Sequence, residues 1–132
     1  MCIRDSLASV PMGDIEENAA IINALQRRAT VVVQKSIMEG FGLTVAEAMW
    51  KSRPVVASAV GGIQDQVEDG VTGFLLADPH DLQALGERTV ELLNDPQQAA
   101  AMGVAGRERV RRQFLANRHA LQYIRLFASM VE

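Results

Sequence analysis

Two glutamates with seven residues between them, Glu39 and Glu47, bracket the glycine-rich turn Gly40-Phe41-Gly42-Leu43-Thr44. Upstream, Thr30-Val31-Val32-Val33-Gln34 is a β-branched run suited to a buried strand, and downstream residues 44–51 have helical spacing. The turn therefore joins a strand end to a helix start. At such a junction the first N–H groups of the helix lack partners and carry the positive end of its dipole, so a phosphate can rest on them. Gly40 and Gly42 are expected to take positive φ and to let the backbone approach an anion closely. Carboxylates on either flank would accept hydrogen bonds from hydroxyls of the same ligand.

Plainer readings stand beside this one. Glu47 and Lys51 lie at i,i+4 on one helix and could form a surface ion pair worth only about 0.3–0.5 kcal/mol. Glu39 alone could be a solvated loop charge. The Gly-x-Gly is not a dinucleotide fingerprint, which would want a third glycine where Val45 stands.

The elements that must position these residues can be read along the chain. Residues 1–6 have no apolar stretch, fail to join smoothly to the strand-like residues 7–10, and are read as a non-native leader before a partial domain over 7–132. That first strand is closed by the turn Pro11-Met12-Gly13. Asp14-x-x-Glu17 resembles a capping box, and Ala19, Ile22 and Leu25, flanked by Ile15 and Ala29, mark the apolar stripe of an amphipathic helix over 15–28. The near-continuous apolar run at 30–34 predicts a central strand covered on both faces. The motif helix should bury Val45, Ala48 and Met49. Pro54 halts it, and Val55-Val56-Ala57-Ser58 predicts another buried strand. Gly61-Gly62 then opens a short helix over 63–67, as a tight strand-to-helix turn or as a second ligand contact. Residues 68–73 are turn chemistry, 74–76 a short last strand, and 81–94, 97–114 and 117–130 helices. Alternating strands and helices through residue 94, with a helical tail after them, predict an α/β fold with a Rossmann-like parallel sheet and flanking helices.

Composition narrows the function classes. A 132-residue chain with 48% hydrophobic and 22% charged residues is ordinary for one folded domain, and its net charge of −3 gives no electrostatic case for nucleic acid as a partner. One cysteine, Cys2, allows neither an internal disulfide nor a zinc cluster, so a reducing, cytoplasmic setting is the default. No apolar run approaches the roughly 18–20 residues that span a bilayer. His80 and His119 have no metal-ligand spacing and read as ordinary surface or packing residues. Arg107, Arg109, Arg111 and Arg112 spread around a helix and read as a solvated face, with Glu108 at i,i+4 to Arg112. Trp50, Tyr123 and Phe127 sit at helical positions expected to face a core.

The pattern Glu39-Gly40-Phe41-Gly42-Leu43-Thr44, with Glu47 closing it after seven intervening residues, resembles the nucleotide-sugar signature of retaining GT-B glycosyltransferases (family 4-like, glycosyl transferases group 1). Pro54-Val55-Val56-Ala57, Gly61-Gly62, the stretch from Glu68 to Leu75, and Asp78-Pro79 extend the resemblance in order and spacing. It implies the partial C-terminal, donor-binding domain of a GT-B fold. In that family Glu39 would hold hydroxyls of the donor sugar, the backbone at Gly40, Phe41, Gly42, Leu43 and Thr44 would meet sugar and diphosphate, and Glu47 would bind the ribose hydroxyls. Asn18 would lie toward the nucleobase, or else make only a polar contact at its helix N-terminus. Val33-Gln34-Lys35-Ser36, Ala48-Met49-Trp50-Lys51 and Val60-Gly61-Gly62-Ile63-Gln64-Asp65-Gln66 look most like the trehalose synthase branch.

That resemblance implies glucosyl transfer from ADP-glucose or UDP-glucose to glucose with retained anomeric configuration, with no cofactor and no metal. The trehalose phosphorylases, which use phosphate as the partner, are the nearest alternative. The family's acceptor domain and its diphosphate-clamping Arg/Lys pair have no counterpart in these residues, so the 132-residue chain alone is expected to be inactive; turnover of ADP- or UDP-glucose with glucose would refute this. A sheet opened at its edge would also expose apolar surface and favour a homo-oligomer. A Rossmann-like nucleotide-binding module without catalysis remains a second reading, since Glu47 could read ribose with no sugar transferred. A structural or adaptor domain built on residues 97–130 leaves the layout of residues 39–47 unexplained.

Overall fold

The computed structural model describes residues 13–130, so the predicted leader, the strand at 7–10 and Cys2 lie outside the described residues. Helix α1 spans Ile15–Arg28, strand β1 Val32–Gln34, α2 Leu43–Trp50, β2 Val55–Ser58, α3 Ile63–Gln66, β3 Phe74–Leu76, α4 Leu82–Asn94, α5 Pro96–Gln113 and α6 Ala116–Ser129. The strands form a parallel sheet in the order β1-β2-β3, with Val33 opposite Val56 and Ala57 opposite Leu75. The α/β architecture is the one expected from the alternation of strand and helix patterns.

Strand β2 is the axis of the core. Its alternating side chains feed two apolar clusters. Val55 and Ala57 pack with Val45, Ala48 and Met49 of α2, Ile63 of α3 and Val110 of α5. Val56 packs on the other side with Phe74, Leu76, Leu92 of α4, and Ala99 and Met102 of α5. Helix α5 thus contributes to both. Met49 is fully buried where α2 meets this core. Met49→Ala is expected to lower unfolding stability by about 2–5 kcal/mol, measured by chemical denaturation.

Three expectations are corrected. Val33 of β1 is 43% exposed, so that strand is not covered on both faces; among the described residues its one strand neighbour is β2, and the strand expected at 7–10 lies outside them. A continuous apolar run marks a strand but does not say what covers its faces. The apolar stripe of α1 is not covered: Ile15, Ile22 and Leu25 are exposed, and the one buried residue of the helix is Gln26. Trp50, Tyr123 and Phe127 do not face a core either. Trp50 lies under the Arg107 guanidinium at 5.2 Å, and Tyr123 stacks on Phe127 at 6.3 Å along α6, which has no buried residue. Helical spacing shows that a face is apolar, not that anything lies against it.

Asp14 caps α1 as expected, accepting from the N–H groups of Glu16 and Glu17 at 3.0 Å. Late in α5, Glu108 accepts hydrogen bonds from Arg111 and Arg112, which hold its carboxyl below the ordinary 4.5, at about 2. A depressed carboxylate stabilises the fold fully above its unfolded value and loses that contribution as pH falls through its folded one. On the surface the effect is small. Glu108→Gln is therefore expected to lower the thermal midpoint slightly at pH 7, with the difference closing as pH falls from 4.5 to about 2.

Candidate functional site

The turn between β1 and α2 carries the candidate residues. Gly42 is the N-cap of α2, with φ 85° and ψ 56°, a left-handed conformation that favours glycine, and a Cβ there would come within 2.7 Å of Ile63 Cγ1. Gly40 does not take positive φ and has open space where its Cβ would be, which corrects the expectation for that residue. The Gly42 carbonyl accepts from the N–H groups of Val45 and Ala46 at 3.0 and 3.3 Å. No side chain caps the helix. Among the described residues the N–H groups of Leu43 and Thr44 have no acceptor, and both residues are exposed. An uncovered pair of amides at the positive end of a helix dipole can receive an anion.

A second layer holds this turn. Gly61, with φ 51°, lies so close to the turn that a Cβ would sit 1.7 Å from the Glu39 carbonyl oxygen. Gly62 N–H donates to the Gly40 carbonyl at 2.7 Å. Packing of one backbone on the other accounts for both glycines of the β2–α3 turn. From α3 the buried Gln66 donates through Nε2 to the Phe41 carbonyl. Arg109 of α5 in turn donates to the carbonyls of Gln66 (2.7 Å) and Asp65 (2.9 Å), closing the end of α3. The Arg109 side chain is only 23% exposed and supports the turn, which corrects its assignment to a solvated face. Gln66 ends a stretch that carries the family resemblance but gives no sign of this role, and no motif announces Arg109, because a single polar side chain reaching a distant carbonyl leaves no pattern in sequence.

Glu39 is partly buried, and its Oε1 accepts from Gly40 N–H at 3.1 Å. Glu47 is exposed on α2, on the face of Leu43 and tilted toward the amide end, about 6 Å along the axis from it. Glu47 makes no direct ion pair with Lys51 among the described residues. Gln26 of α1 stands between them, its Nε2 donating to Glu47 Oε2 at 3.2 Å and its Oε1 accepting from Lys51 Nζ at 2.5 Å. A cleft of about 350 Å³ opens between α1 and α2, with Ile15, Ala19 and Ile22 as its apolar side and Asn18, Asn23, Glu47 and Lys51 as its polar side. The uncovered stripe of α1 lines this cleft, and Asn18 shares it with Glu47. None of residues 39–44 lines it, so the cleft and the amide end of α2 are separate features, linked along the helix by Glu47 at i,i+4 from Leu43. The described residues contain no cluster of three or more His, Cys, Asp or Glu suited to a metal, and His80 and His119 do not pack in the core. No described helix is long and apolar enough to cross a membrane.

The three-stranded parallel sheet, flanking helices and helical tail are the fold of the C-terminal domain of GT-B glycosyltransferases. The chain belongs to the family Glycosyl transferases group 1, which it matches over residues 13–109. It is 44% identical over 113 residues to a trehalose synthase of Pyrococcus horikoshii, a match covering 86% of this chain and 26% of that protein. A solved sucrose-phosphate synthase of Thermosynechococcus elongatus superposes with a TM-score of 0.75 at 39% identity, covering 92% of this chain and 29% of the other. The HepE protein of Anabaena, solved in complex with UDP-glucose, gives 0.74 at 29% identity, covering 82% and 30%. The chain thus spans about a quarter of the length of the relatives it matches.

Proposed function

We propose that this chain is the donor side of a retaining, nucleotide-sugar-dependent glycosyltransferase that forms trehalose by moving glucose from ADP-glucose or UDP-glucose to glucose. The observation that carries this reading is the open amide end of α2, with Glu39 just before it in the chain and Glu47 one turn after it, at the α1–α2 cleft. The diphosphate would rest on the N–H groups of Leu43 and Thr44, with the backbone at Gly40, Phe41 and Gly42 meeting the sugar. Glu39 would hold glucose hydroxyls and Glu47 ribose hydroxyls. The apolar wall of the cleft, beside Asn18, would take the nucleobase. Similarity to trehalose synthases supports the choice of acceptor, and a structural relative solved with UDP-glucose supports the choice of donor.

The two glutamates act by holding the donor rather than as an acid and nucleophile. Fixing both sugar rings aims the anomeric carbon at the acceptor, and orientation of this kind lowers a barrier by several kcal/mol. As the bond from the anomeric carbon to the diphosphate oxygen breaks, negative charge grows on the diphosphate, where the helix amides stabilise it. The acceptor hydroxyl forms the new bond on the same face and passes its proton to the departing phosphate. No metal enters this scheme.

A second reading, a nucleotide-binding module without sugar transfer, draws on the cleft reaching Glu47 but not Glu39. Calorimetry with Glu39→Ala separates the two. The transferase reading expects affinity for the nucleotide sugar to fall about tenfold while affinity for the bare nucleoside diphosphate is unchanged; equal losses, or none, favour the module. With the full-length protein, product formed from nucleotide-glucose and glucose, as against trehalose and phosphate, distinguishes synthase from phosphorylase.

A further inference from the structure

Helix α1 buries one side chain, and it is polar: Gln26 is 6% exposed among residues whose apolar neighbours face solvent or the cleft. A buried amide has to be matched at both ends. An amide can be turned by 180° with little change of shape, so its orientation is set by its partners. Lys51 Nζ has only donors to offer, so it must meet Oε1, as it does at 2.5 Å. That leaves Nε2 for Glu47, whose Oε2 accepts it at 3.2 Å. One oxygen of the carboxylate is thereby held, and Oε1 is left to accept from a ligand. Gln26 itself does not line the cleft.

We propose that Gln26, locked in one amide orientation by Lys51, is a positioning residue that aims Glu47, and that this pair sets the preference of the site for ribose over deoxyribose. The inference rests on the reading that Glu47 takes ribose hydroxyls. Glu47 sits on a solvent-exposed face, where a free carboxylate samples several rotamers and loses that freedom on binding. The amide of Gln26 removes this freedom beforehand. The positive charge of Lys51 is delivered to Glu47 through a neutral amide instead of a direct ion pair, which would occupy the carboxylate and compete with hydroxyls.

The test is calorimetric titration of the 132-residue chain with whichever of ADP and UDP binds better, and with its 2′,3′-dideoxy counterpart. The parent is expected to prefer the ribonucleotide by at least about tenfold, and Glu47→Ala, which removes the acceptor altogether, to abolish that preference. Gln26→Leu is expected to reduce it to within about twofold while leaving affinity for the dideoxy compound unchanged. Lys51→Met, which frees the amide to turn without emptying the buried position, is expected to reduce it by about threefold, and it keeps the test decisive if Gln26→Leu unfolds. A role confined to packing would weaken both ligands equally. If Glu47→Ala abolishes the preference while the Gln26 and Lys51 variants retain it, this inference is overturned alone. If the parent shows no ribose preference, or Glu47→Ala keeps it, the ribose reading fails and the inference with it.

Discussion

Gly61→Val is expected to abolish nucleotide-sugar binding and to lower unfolding stability by about 3 kcal/mol or more. The residue has φ 51°, where a β-branched side chain is strained, and its Cβ would sit 1.7 Å from the Glu39 carbonyl oxygen. Neither contact can be relieved by turning a side chain, because the obstacle is backbone. The 39–42 turn would have to lift, taking with it the Gly62-to-Gly40 hydrogen bond and the geometry of Glu39. Gly86→Ala in α4 is the matched control: a Cβ there meets nothing within 4 Å, and alanine in a helix should stabilise by about 0.5–1 kcal/mol. Denaturant titrations of the two variants, with binding measured on the folded protein, check the contrast. Similar behaviour in both would remove the supporting role given to the second glycine turn.

Glu47→Ala has the other large effect. Hydrogen bonds to a charged group contribute about 1.5–3 kcal/mol, so nucleotide affinity should fall by about tenfold to a hundredfold. Stability should fall by no more than about 1–3 kcal/mol: Glu47 is exposed, and the loss is confined to the Nε2 of the buried Gln26, its one hydrogen-bond partner among the described residues. Calorimetry and thermal unfolding of the same sample measure both. A large fall in stability with unchanged affinity would make Glu47 a structural residue.

Much of this arrangement was legible because it is local. Val45, Ala48 and Met49 repeat at i, i+3 and i+4, and all are fully buried. Pro54 and the β-branched pair behind it mark β2, and Asp14 marks the start of α1. The turn carrying Glu39 and Gly42 could be placed between a strand and a helix from spacing alone. Long-range pairs could not be read in this way. Gln26 meets Glu47 across 21 residues of chain, and Arg109 meets Gln66 across 43, with no periodicity linking either pair. Aromatic and aliphatic residues of α1 and α6 carry the signature of buried faces, yet burial depends on what lies opposite, which helical spacing does not encode. Gly40 and Gly42 look alike in sequence and differ in φ because only Gly42 must turn the chain into the helix.

A nucleoside diphosphate is expected to seat its phosphates on the amide end of α2. Amide proton and nitrogen shifts of the labelled chain, tracked by NMR as ADP, UDP and inorganic pyrophosphate are added, test it most directly. The largest saturable changes should fall on Leu43 and Thr44 for all three ligands, with residues of the α1–α2 cleft responding to the two nucleotides but not to pyrophosphate. Shifts that leave Leu43 and Thr44 in place while moving another surface would contradict the account.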